Sequence, residues 1–203
     1  MGELKLYYSD DNDTRIINHM ERQLHYANEH HNKVLLIRFD VHFPKMGYLY
    51  DGGNREISSL IKSLKAAYKG RLRDIQYAWA RERIDSQHPH WHLMLLIDGA
   101  IMQNPYGLLK KAEEIWNRIL GGEYQGLIEF CDNRCMGHKT TGSVMMRRPS
   151  SEAEGAELIR QQQAYQAACG DAIWRASYLA KSFSKDEPPY RNRRFGCSQV
   201  PRT

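Results

Sequence analysis

His90 and His92 flank Trp91 in HPHWHLMLLID, residues 88–98. On a strand, residues two apart project to the same side. The two imidazoles would therefore share one face and could hold one divalent ion. The preceding segment DIQYAWARERI, residues 74–84, has strand composition, and DSQHP between the two has the chemistry of a turn. An antiparallel hairpin places position 82 roughly opposite position 92, so Glu82 would project beside the histidines. Two nitrogens and one carboxylate oxygen leave coordination positions for substrate and water. Such a mixed set suits Mn2+ or Mg2+ together with phosphate, and also Zn2+. The plainer alternative is two turn and strand histidines without a ligand. Against it stands the strongly apolar strand that follows, where unpaired imidazoles are costly to bury.

A second constellation is Tyr178 and Lys181 in SYLAK. On a helix these positions share a face. A tyrosine oxygen can attack phosphorus when its negative charge is stabilised, and an adjacent ammonium supplies that stabilisation. Taken alone, a Tyr and a Lys one turn apart are commonplace. Other candidates are weaker. Cys131, Cys135 and His138 form C-x3-C-x2-H without an evident fourth ligand. His42 reads as a structural residue or one supporting a ligand, His88 as a competitor of His90, and His30-His31 as a solvated helix end. Trp79, Trp91, Tyr48 and Tyr50 could stack on bases, although packing is the commoner use of such side chains.

The elements that must position these residues follow from periodicity. Apolar residues at helical spacing predict helices over 10–31, after the Asp-rich DDND cap, and over 54–68, ending at Gly70. KVLLIRFDVHF, residues 33–43, predicts a buried strand. HWHLMLLID, residues 90–98, predicts a strand central in its sheet. A helix over 105–119 starts at Pro105 and ends before Gly121-Gly122. YQGLIEF, 124–130, reads as a short strand, and 131–150 as a basic loop with a short strand at 143–146. Two helices, 152–168 and 171–184, follow. The order predicts an α+β fold, a central antiparallel β-sheet flanked by helices, in a single domain over 1–203.

The combination resembles the HUH endonucleases, which carry His-hydrophobic-His on a central strand and a nucleophilic tyrosine on a later helix. IRFDVHFP, WARERID, HPHWHLMLLID, SYLAKSFSK and RRFGCSQ are most similar to the YagK/YfjJ-type branch, which includes inovirus-type replication initiators. The resemblance spans roughly residues 30–198, and it rests on the order and spacing of individually loose motifs. It implies a metal-dependent, sequence- or hairpin-specific enzyme that nicks and joins single-stranded DNA at an origin hairpin, initiating rolling-circle-type replication of a phage, plasmid or integrated element. Tyr178 would be the nucleophile, giving a 5′-phosphotyrosine, and Lys181 its partner. His90, His92 and Glu82 would hold Mn2+ or Mg2+. Tyr190 lies beyond Pro188-Pro189, so the pattern is of the single-tyrosine type. A relaxase or a single-tyrosine transposase would share this chemistry. A non-catalytic DNA-binding regulator would keep only the fold, and a hydrolase using water would form no covalent adduct.

The 203 residues carry 29 Lys and Arg against 24 Asp and Glu, a net charge of +5. The excess sits in Arg134, Lys139, Arg147 and Arg148, and in a tail with Lys185, Arg191, Arg193 and Arg194. These are the expected DNA-holding residues. No run approaches a membrane span, the N-terminal segment has no apolar core of a secretory signal, and four scattered cysteines build no disulfide framework. These features predict a cytoplasmic protein, and the resemblance implies a prokaryotic cell. The chain contains no G-x-x-x-x-G-K-[ST], so unwinding is expected from a host helicase.

Overall fold

The computed structural model describes residues 6, 12–72, 74–83, 88–131, 142–182 and 193–200. The elements in chain order are α1 (Thr14–His30), β1 (Lys33–Val41), α2 (Arg55–Tyr68), β2 (Gln76–Glu82), β3 (His90–Asp98), α3 (Tyr106–Leu120), β4 (Ile128–Phe130), β5 (Ser143–Arg147), α4 (Gly155–Ser177), a 3-10 turn (Tyr178–Ala180) and β6 (Phe195–Cys197). The strands form one antiparallel sheet in the order β4-β1-β3-β2-β6, and β5 also pairs with β1. This is the expected α+β architecture, with β3 in the middle. Among the described residues no helix is long and apolar enough to cross a membrane.

Side-chain alternation divides the core into two layers. Leu35, Ile37, Phe39, Val41, Leu93, Leu95 and Ile97 pack against α2 and α3. Val34, Leu36, Ala78, Ala80, Met94 and Leu96 pack against α1 and α4. Because both faces are covered, β1 and β3 read as nearly continuous apolar runs. Ala172 and Ala176 of α4 and Ala180 of the turn are fully buried. Spaced four apart, they form a row of small side chains in the same layer as Ala78 and Ala80 of β2. Asp13, the α1 cap, receives Arg15 N–H at 2.9 Å and donates its own N–H to Ala180 O at 2.7 Å. That bond ties the 3-10 turn to the start of α1.

Three sequence expectations need correction. Residues 155–177 form one helix, not two. Gly170 does not take a left-handed conformation and no proline follows, so the glycine costs the helix only about 1 kcal/mol. The helix then tightens into a 3-10 turn, and Tyr178 stands on that turn. β4 covers only 128–130 of the expected 124–130. The hairpin register pairs Glu82 with His90 and Ala80 with His92, two residues from the expected alignment. β6 was not anticipated. It joins the edge of β2 where Gly196 faces Trp79, and a Cβ on Gly196 would stand 2.5 Å from the indole ring. Only glycine permits that approach.

Candidate active site

The layer under α1 and α4 changes character at one end of the sheet. Continuing the apolar rows of β1, β2 and β3 on the same face come Arg38, Asp40, Glu82, His90 and His92. The register shift leaves Glu82 on this face, since it amounts to two residues. A one-residue slip would have turned the carboxylate into the α2/α3 layer.

Glu82, His90 and His92 each offer one ligand atom, and these atoms all lie within 4.8 Å of one another. The His92 and Glu82 side chains are only 2% and 1% exposed. His92 Nδ1 lies 2.7 Å from Asp40 Oδ1, its cross-strand partner in the sheet. A carboxylate accepts, so the proton is assigned to Nδ1 and the Nε2 lone pair points inward. Nε2 faces Glu82 Oε2 in direct contact. His90 Nε2 lies 3.5 Å from the same oxygen. Glu82, His90 and His92 could together hold a cation, and the donor set fits a divalent ion. Burial would raise the Glu82 carboxyl, but the adjoining His90 and His92 rings, with Lys181, drive it far below the usual carboxylate range. It is therefore charged and ready to bind a cation.

Tyr178 and Lys181 reach the same place. In a 3-10 helix positions i and i+3 eclipse, and Lys181 Nζ donates to Tyr178 Oη at 2.8 Å. The same Nζ lies 2.7 Å from Glu82 Oε1. Glu82 thus turns one oxygen to the histidines and the other to the lysine beside the tyrosine. The Tyr178 ring meets His92 edge-on with centroids 4.9 Å apart, and the Arg38 guanidinium lies 3.8 Å over it.

The five residues read from the sequence as a site therefore converge. Arg38 and Asp40 were missed. Their signal was present as two charges at alternate positions in the apolar run VLLIRFDVHF, which puts both on one face of a buried strand. Which face that was depended on the β1–β3 pairing. His42 takes a supporting position, stacked on His90 at 5.1 Å with Nε2 3.5 Å from Glu129 Oε2. His88 is no competitor of His90: it packs edge-on against Phe43 and Tyr50. His31 lies 3.5 Å from Asp98 at a half-buried helix end. Trp91 and Trp79 are buried in the α2/α3 layer and present no stacking surface, and Tyr48 and Tyr50 pack against that layer. The Cys131 thiol is raised by burial and by Asp40. Cys135 and His138 lie outside the described residues.

The chain matches the family model of the YagK/YfjJ C-terminal domain over residues 2–198. It belongs to the YagK/YfjJ C-terminal domain family. No curated protein and no solved structure matches it. In this YagK/YfjJ domain the basic residues are divided between two places. Arg193 and Arg194 line a cleft of about 370 Å³ with Arg15, His19 and Ser182, next to Lys181. Arg147 pairs with Lys33 at the far end of β1, seven residues from Asp40 and so about 23 Å from the site. Arg148, there too, donates to Glu29 O at 3.1 Å. Arg134, Lys139, Lys185, Arg191 and Tyr190 lie outside the described residues.

Proposed function

We propose that this protein nicks and rejoins single-stranded DNA by transesterification through Tyr178, as a single-tyrosine replication initiator of the HUH type acting on a mobile element. The observation that carries the reading is the position of Lys181 Nζ, 2.8 Å from Tyr178 Oη and 2.7 Å from Glu82 Oε1. It joins a tyrosine to a metal-type cluster that would otherwise be unrelated features.

Glu82, His90 and His92 would hold Mn2+ or Mg2+. Such an ion, when bound, polarises a phosphate and neutralises its charge. The protein's own groups do the rest. Lys181 donates to the phenol oxygen and stabilises the phenolate after its proton leaves to water. Tyr178 Oη attacks phosphorus, the P–O3′ bond breaks, and the 3′-oxygen takes a proton from water. The products are a 5′-phosphotyrosine and a free 3′-hydroxyl. One diester replaces another, so the reverse attack reseals the strand. Asp40 keeps His92 in one tautomer, and α4 with its 3-10 turn holds the tyrosine over the site.

A duplex is too stiff to bend its phosphate into a site between helix and sheet, so the substrate is single-stranded and a host helicase is its supplier. The test uses labelled random-sequence single strands with Mn2+. Wild type is expected to give a covalent protein–DNA band on a denaturing gel, with the label mapping to Tyr178, and Tyr178→Phe none. An adduct that survives Tyr178→Phe removes the nucleophile from this account. Cleavage without any adduct favours a water-using hydrolase, and binding without cleavage a regulator.

A further inference from the structure

Arg38 is a buried cation with too little to hold. Its side chain is 7% exposed, and among the described residues the one carboxylate within 4 Å is Asp40, at 3.9 Å from Nη2. Asp40 is already engaged by His92 at 2.7 Å. Arg38 Nε is buried and has no hydrogen-bond partner among the described residues. Its backbone is fixed by donation to Gly142 O at 2.7 Å, where a Cβ on Gly142 would stand 2.8 Å from Arg38 O. The guanidinium carbon lies over the Tyr178 ring, 3.8 Å from its centroid. Leaving a charged donor buried and unpaired is costly, and the cost is offset when an anion arrives.

We infer that Arg38 forms an anion site that binds a non-bridging oxygen of a DNA phosphodiester beside Tyr178. The inference rests on the nicking reading for the identity of the anion. The geometry supplies the reason for an oxyanion. A guanidinium presents several N–H donors in a plane, which suits phosphate better than a halide or a neutral carbonyl. Lys181 cannot take this role alone, since its Nζ is already shared between Tyr178 and Glu82. Cations then stand at two points around the tyrosine. Lys181 is at its oxygen, and the Arg38 guanidinium is over its ring.

The test separates this site from the nicking reading. Wild type is first incubated with random-sequence single strands and Mn2+, and the sequence joined to the protein is read. Recovery of no joined sequence overturns the nicking reading, and this inference with it. The recovered strand is then made with a methylphosphonate at the scissile linkage, as separate diastereomers, so that one charged oxygen is replaced by methyl. Binding is measured by fluorescence anisotropy in EDTA, where neither metal nor cleavage contributes. Wild type should bind one diastereomer about 10- to 100-fold more weakly than the native strand. Arg38→Gln should bind the native strand more weakly by a similar factor and no longer distinguish that diastereomer. Arg38→Lys keeps a charge without the planar donors and should fall between. Lys181→Gln should keep the diastereomer penalty. A full wild-type penalty in Arg38→Gln overturns the proposal. If the glutamine variant does not fold, a full penalty in Arg38→Lys does so.

Discussion

Lys181 and Glu82 form an ion pair, Nζ to Oε1 at 2.7 Å, with both side chains 5% exposed or less. The pair bridges two elements far apart in the chain, the end of β2 and the 3-10 turn after α4. Removing one member of such a pair leaves the other charged and buried, at a cost of about 3–5 kcal/mol. Lys181→Met is therefore expected to lower the metal-free melting temperature markedly. Added Mn2+ should restore part of the loss, because a bound cation re-compensates Glu82. The same variant should slow adduct formation by about 100- to 1000-fold, the usual effect of losing one charge-stabilising donor. Thermal melts with and without Mn2+, and single-turnover gels, check both expectations. A variant as stable as wild type would show that Glu82 is neutral there.

Asp40 is the orienting partner of His92, so its effect should appear in metal affinity before it appears in fold. Asp40→Asn keeps the size of the side chain and lets its amide present the wrong group to Nδ1. Loss of such a partner weakens metal binding by about 10- to 100-fold. Isothermal titration with Mn2+ measures this directly. Equal affinities would mean that His92 does not bind through Nε2.

Asp40 also predicts an acid transition. Burial alone would raise its carboxyl, but the charge and hydrogen bond of His92, with Arg38 nearby, hold it down to about 2 from 3.8. The folded state therefore binds this proton less readily than the unfolded state. The stabilisation is present above about pH 4 and is lost as the pH falls through 2. It amounts to about 2 kcal/mol. Urea midpoints in EDTA should fall more steeply between pH 4 and 2 in wild type than in Asp40→Asn. Parallel curves would refute the assignment.

What the sequence revealed depended on the range of the contact. His90 with His92, and Tyr178 with Lys181, are neighbours within one element, and local spacing was enough. Glu82 was reached across a hairpin, where period-2 alternation forgave a register error of two. Asp40 reaches His92 only through pairing of strands some fifty residues apart, and nothing local states that β1 lies beside β3. β6 was hidden for a different reason. Three residues carry too little pattern, and Gly196 is a packing requirement of Trp79 that shows only once both are placed. Gly196→Ala tests that requirement. Overpacking of this kind costs about 1–3 kcal/mol, and releasing β6 should also displace Arg194, whose carbonyl accepts from Arg81 N–H at 2.8 Å. Loss of protection at Arg81 in hydrogen exchange would report it.

The basic residues split into two groups, and that division predicts a dependence on strand length. Lys33 and Arg147 are directly paired like charges, an arrangement that is unfavourable unless an anion sits over it. Among the described residues neither has a carboxylate within 4 Å. With Arg148 they line a cleft of about 760 Å³. A single strand that occupies both this cleft and the site must span about 23 Å. Lys33→Gln with Arg147→Gln should therefore weaken binding of long strands and lower the slope of log affinity against log salt by about 1 to 2. Strands too short to cover the distance should bind both proteins alike. Adduct formation at saturating long strand should be unchanged, since neither residue approaches Tyr178. Arg194→Gln, in the cleft beside Lys181, should weaken short and long strands alike. If the double variant weakened short strands as much as long ones, the far cleft would not be a second point of contact for the same strand.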